Sequence, residues 1–152
     1  MHNEACAIAT DAAYWQAGLA TGVHDADEAK EWAFDIVARE DAPDIRVIEA
    51  ASAQGTGDCL AALSALTAGA DAKQAAARLF GVVRARLADD ALALEAASAT
   101  SVRICKALAL PLATCLAFDR IERLLAQSGD DLEANRPAIR GMLLVTLETP
   151  YA

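Results

Sequence analysis

Aromatic side chains are scarce in this chain, seven among 152 residues, and so are prolines, of which there are four. Strands draw on aromatic and β-branched side chains, so this scarcity leaves little to build a sheet from. Alanine, about a quarter of all residues, is by contrast the strongest helix former. The expected fold class is therefore all-α: a single compact bundle of about seven helices around a central apolar helix, forming one domain over residues 1–152.

Long apolar runs are missing too. The longest uncharged one, Ala107 to Phe118, has twelve residues and contains Pro111, against about 20 for a helix that spans a bilayer. The opening MHNEACAIATDAAYW has no basic segment and is interrupted by Asp11, so no cleavable leader is expected. These features predict a cytoplasmic protein with no membrane partner.

Ligand spacings are equally thin. Cys6, Cys59, Cys105 and Cys115 include no C-x-x-C pair, and His2 and His24 are the only histidines. No zinc spacing and no Glu-x-x-His pair of the di-iron bundles can be made from them, so neither a metal nor a cofactor is expected. If Cys105 and Cys115 share one helix, ten residues place them about 15 Å apart, beyond disulfide reach. Reduced, buried thiols are the expectation.

Positive charge is short, and unevenly so. The net charge is −9, with thirteen bases against 22 acids. Residues 1–44 hold ten acids and two bases, whereas 45–101 hold six and five and 102–152 hold six and six. The N-terminal end would repel nucleic acid, and no basic patch elsewhere compensates, so no nucleic-acid partner is expected.

What is present is helical periodicity. Ile8, Ala12, Trp15 and Leu19 follow a cap at Asn3, and Gly22 ends that segment. Asp25 with Glu28 forms a capping box before the stripe Ala29, Trp32, Ala33, Ile36 and Val37, which stops before Pro43. Asp44 caps a short helix through Ile45, Ile48 and Ala51. A fourth runs from about Asp58 to Ala68. Asp71 opens a fifth with inner residues Ala72, Ala76, Leu79, Val83 and Leu87, in which Gly81 suggests close approach of a neighbour. From Asp90 to Phe118 apolar residues occur on every side, the mark of a central helix, which Pro111 should kink or divide. Ile121, Leu124 and Leu125 continue to Gly129, and a last helix begins near Pro137.

The stretch QGTGDC, residues 54–59, is the most chemical in appearance. It lacks the Lys of a Walker loop and the third glycine of a dinucleotide fingerprint. Asp58 supplies its own carboxylate as a helix cap, so a turn is the expected reading. Cys59 in a first helical turn is a possible ligand-binding or reactive thiol, opposed by Asp58 and by the lack of a base assured at its side. Arg103 and Lys106 stand out as cations in the apolar central segment, either snorkelling or binding an anionic ligand. Glu28, Glu31 and Asp35 share one face of helix two. A solvated face with Asp35 paired to Arg39 is preferred there to a cation site.

Residues 27–52, DEAKEWAFDIVAREDAPDIRVIEAAS, resemble a phrase in small all-helical bacterial proteins of uncharacterised function, through Trp32, Ala33, Ile36, Asp41, Pro43, Ile48 and Ser52. Some proteins of that look neutralise toxins, and the resemblance implies no catalytic residues. The leading expectation is a non-enzymatic protein-binding module whose acidic N-terminal surface, centred on Asp27, Glu28, Glu31, Asp35, Glu40 and Asp41, meets a basic protein partner, as an immunity protein or inhibitor would. The alternatives are a small-molecule or enzymatic site between the helices, using Arg103, Lys106 or Cys59, and a homodimer formed through spare apolar surface.

Overall fold

The structure, a computed structural model, describes residues 2–151, with side chains from residue 4 onward. The first helix already begins at His2, so Asn3, expected as its cap, lies within it. The described residues are helical and contain no strand. The helices are α1 (His2–Thr21), α2 (Ala26–Arg39), α3 (Ile45–Ala51), α4 (Thr56–Ser64), α5 (Ala72–Ala88), α6 (Leu94–Ala107), α7 (Leu112–Ser128) and α8 (Leu132–Glu148), with a single 3-10 turn at Gly129–Asp131. None is long and apolar enough to cross a membrane.

Local chemistry explains most of these boundaries. Gly22 ends α1 at φ 79°, a left-handed position that glycine takes without a Cβ clash. The Asp25 side chain accepts from the Glu28 N–H at 2.9 Å and Glu28 accepts from the Asp25 N–H at 3.2 Å, so the capping box of α2 is complete. Asp44 accepts from the Arg46 N–H at 2.8 Å at the start of α3, and Asp71 from the Gln74 N–H at 3.1 Å at the start of α5.

The chain divides into two compact units, residues 1–75 and 76–152, with the boundary inside α5. In the first, the core joins Ala12 and Leu19 of α1, Ala29, Ala33 and Ile36 of α2, Val47 and Ala50 of α3, Ala53, and Cys59, Ala62 and Leu63 of α4. Alanines at so many of these positions let the helix backbones approach closely. Trp32, expected at the centre of the buried stripe, is only partly buried and packs against the edge of this core. Trp32 and Val37 stand at the margins of an arc whose middle is Ala29, Ala33 and Ile36.

In the second unit, Phe80, Val83 and Leu87 of α5, Ile104 of α6, Phe118 and Ile121 of α7 and Leu143 of α8 are fully buried. Phe80 and Phe118 stack with ring centroids 4.8 Å apart. The apolar segment from Asp90 to Phe118, which Pro111 was expected to kink or divide, is divided into two helices. Leu108 caps α6, Ala109 turns at φ 48°, and Pro111 caps α7, where its fixed φ suits a helix start. Each has an exposed side, with Arg103 and Lys106 on α6 and Leu112, Leu116 and Arg120 on α7.

Three further expectations need correction. α8 begins at Leu132, five residues before Pro137, because the 3-10 turn already carries the chain into helical geometry. Pro137 is exposed, so the carbonyl its ring leaves unbonded is open to water. Gly81 marks no close approach, since a Cβ built there meets nothing within 4 Å. Asp58 does not cap α4. That helix starts at Thr56 with Gly55 as N-cap, and no side chain bonds its first turn.

Candidate functional site

Of the six acids expected to form a docking face, Asp27, Glu28, Glu31, Asp35 and Asp41 are exposed and Glu40 is half-buried. The first four stand on α2, Glu40 is its C-cap and Asp41 lies in the turn beyond. At about 100° per residue, Asp27, Glu31, Phe34 and Ala38 fall within an arc of about 60° on the side of α2 opposite Ile36. Phe34 is thus an aromatic ring at one edge of this solvent-facing arc, 64 % exposed, one turn from Glu31, two turns from Asp27 and adjacent in sequence to Asp35.

The six acids are not equivalent. Glu28 is engaged on both carboxylate oxygens, one accepting from the Asp25 N–H and the other from His24 Nδ1 at 2.9 Å. Asp27, Glu31 and Asp35 make no such bonds, and the expected Asp35–Arg39 ion pair does not form. Arg39 instead joins Glu40 and Asp41 at a groove of about 720 Å³ against α1, where Glu4, Ile8 and Asp11 form the other wall. Four carboxylates around one guanidinium make this groove negative, and Glu4 and Asp11 were not anticipated as part of it. Among the described residues no group of three or more His, Cys, Asp or Glu side chains could hold a metal ion.

The charge follows the division of the chain. Residues 1–75 carry thirteen acids and four bases, and residues 76–152 carry nine of each. The whole net charge of −9 therefore belongs to the first unit.

The QGTGDC segment is a turn only at Gln54 and Gly55; Thr56 to Cys59 already form the first turn of α4, which corrects the expectation of a turn throughout. A groove beside that helix is lined by Glu49, Ser52, Ala53, Asp58, Ala61 and Ala62, and its two carboxylates repel an anion from the α4 N-terminus. Cys59 is fully buried in the core of its unit. Burial pushes its thiol up, with Lys30 opposing, which keeps it protonated and poorly nucleophilic. Arg103 and Lys106 are exposed on α6. Arg103 donates to Thr100 Oγ1 at 3.0 Å, and neither cation lines the unit's groove between α7 and α8.

A side-chain cluster not anticipated from the sequence joins α1 to α2. The Tyr14 hydroxyl lies 2.6 Å from His24 Nε2, and His24 Nδ1 lies 2.9 Å from the Glu28 carboxylate. A carboxylate only accepts, so Nδ1 carries a proton, and in the neutral ring Nε2 accepts from the tyrosine hydroxyl. Trp15 packs its ring on His24 at 4.7 Å and on Tyr14 at 5.0 Å. The hydroxyl–imidazole–carboxylate order resembles a catalytic relay. Yet Tyr14 is 7 % exposed, the His24 side chain is as buried, and the two grooves of this unit are lined by other residues. Its role is to clasp α1 to the start of α2. Only the turn at Gly22 brings Tyr14 and His24 together, and no local signal announces that.

No family model, curated protein or solved structure matches this chain.

Proposed function

We propose that the chain is a non-enzymatic binding module whose N-terminal unit docks a basic protein through the solvent face of α2. The observation that carries this reading is Phe34, an aromatic side chain 64 % exposed among the unpaired carboxylates of Asp27, Glu31 and Asp35. Interface hot spots are commonly aromatic anchors at the centre of a patch, while surrounding charge sets the rate and selectivity of encounter. The confinement of the net charge to this unit supports the same reading, and Glu40 and Asp41 extend the acidic surface to the α1 groove. An immunity or inhibitor-like protein that masks a cationic partner is the form suggested by the resemblance at residues 27–52.

The test pairs two variants with salt. Replacing Asp27, Glu31 and Asp35 by their amides leaves Glu28 in its capping role and removes the steering charge. Phe34→Ala removes the anchor. A partner captured by the immobilised wild-type chain should associate more slowly with the amide variant and lose most of its salt dependence, because exposed charges act mainly on the on-rate. Unchanged association rate and salt response in both variants would overturn the reading.

A second reading has one observation of its own. Leu112, Leu116, Met142 and Val145, on α7 and α8, are exposed apolar side chains, with Leu112 at 72 %. A homodimer through that surface would be seen by sedimentation as a mass that doubles with concentration and returns to monomer on Leu116→Glu.

A further inference from the structure

The groove of about 720 Å³ between α1 and the end of α2 has walls of two kinds. Glu4 and Asp11 on α1, with Glu40 and Asp41 at the end of α2, set four carboxylates against the single guanidinium of Arg39, which leaves three negative charges. Between them Ala5, Ala7 and Ile8 supply an apolar wall. Glu4 and Asp11 stand about 10 Å apart along α1, at 1.5 Å of rise per residue. Among the described residues no three acids come together to hold a metal ion. The groove therefore offers separated charges along an apolar wall, a pattern that suits an extended cation.

We propose that this groove seats an extended segment of the basic partner that carries lysines or arginines at alternate positions. The proposal rests on the reading that the N-terminal unit docks a basic protein, and it names the part of that protein that enters. In an extended chain alternate side chains point the same way, about 7 Å apart. The long flexible stems of lysine and arginine widen that spacing until it spans the distance of about 10 Å between Glu4 and Asp11. The methylene stems lie on Ala5, Ala7 and Ile8 while the charged ends meet the carboxylates.

Charge and continuity select this occupant. Three net negative charges favour a basic segment over an acidic or neutral one, and the volume lies within the range of about 300 to 1,000 Å³ in which ligand clefts fall. Glu40 is the C-cap of α2 and Asp41 follows it, so the groove continues the acidic surface of that helix. A partner held at Phe34 places its adjoining basic segment here.

The test is titration of the full chain with a capped peptide of alternating arginine and alanine, read by backbone amide NMR shifts. The expected result is a saturable change confined to the amides of residues 4–11 and 39–41. Ala7→Phe sets a ring in the groove at an exposed position without altering the charge, and should weaken peptide binding about tenfold. Shifts spread over all the acidic stretches of residues 1–75, or an affinity unchanged in Ala7→Phe, would mean diffuse attraction to charge and overturn the proposal. Shifts confined to Asp27, Glu31 and Phe34 would overturn it as well, while leaving the α2 reading in place. Groove shifts combined with undiminished partner binding by Phe34→Ala and the amide variant would sustain the groove and remove the α2 face. The wild-type map decides even if Ala7→Phe fails to fold.

Discussion

Phe34→Ala separates binding from stability, because the same ring makes unequal contributions to the two. A phenylalanine side chain offers about 200 Å², and 64 % of Phe34 is exposed. About 130 Å² is therefore left for a partner, worth about 3 kcal/mol at about 25 cal/mol per Å². The expected loss of affinity is about 100-fold or slightly more. The buried third of the ring is worth at most about 2 kcal/mol to the folded chain on the same coefficient. Alanine keeps the Cβ contact and returns about 0.5 kcal/mol of helix propensity. The net loss of stability should stay below about 1.5 kcal/mol. Titration calorimetry against the captured partner reads the first quantity, and urea denaturation reads the second. Affinity unchanged within about twofold would refute the anchor. A stability loss above about 3 kcal/mol would place the ring in a core instead.

Trp32→Ala should cost about 2 to 3 kcal/mol by the same urea series, below the range of about 3 to 5 kcal/mol for a fully buried aromatic, since Trp32 packs only partly against the core of its unit. A cost near zero would mean that its core contact is negligible. Gly81→Ala should stabilise by about 0.5 to 1 kcal/mol, because the position is helical, exposed and open around a new Cβ; a loss of stability in thermal unfolding would contradict this. The Arg136 guanidinium bonded to Glu95 holds that carboxyl below its usual range. A depressed folded value means that the pair's stabilisation is present above the unfolded value of about 4.3 and fades as the pH falls through the folded one. The difference in urea midpoint between wild type and Arg136→Gln should therefore be largest near neutrality, small because both groups are partly solvated, and should shrink as the pH falls through the depressed value of Glu95. A gap that widened on acidification would show the opposite linkage.

Much of the helical layout was legible because helix signals are local. The Asp25–Glu28 box, the Asp44 and Asp71 caps, Gly22, Gly129 and the inner stripe of α5 each act over three or four residues, and each stands where its pattern placed it. The exposure of Phe34 was legible in principle, since the spacing that buries Ile36 turns residue 34 outward. Pro137 and Asp58 misled because each suits a helix start locally, while the neighbouring turn decided where the helix began.

Composition, period and caps thus determined the all-α class, most helix boundaries and the acidic character of the N-terminal end, all of which depend on interactions within one helix or on a sum over residues. Only tertiary structure decided that Tyr14 meets His24. It alone gathered Glu4 and Asp11 beside Glu40 and Asp41, and confined the net charge to one of two units whose boundary falls inside α5. Those outcomes depend on how the chain turns between helices. A turn such as that at Gly22 brings Tyr14 and His24 within hydrogen-bond distance without altering the periodicity on either side of it.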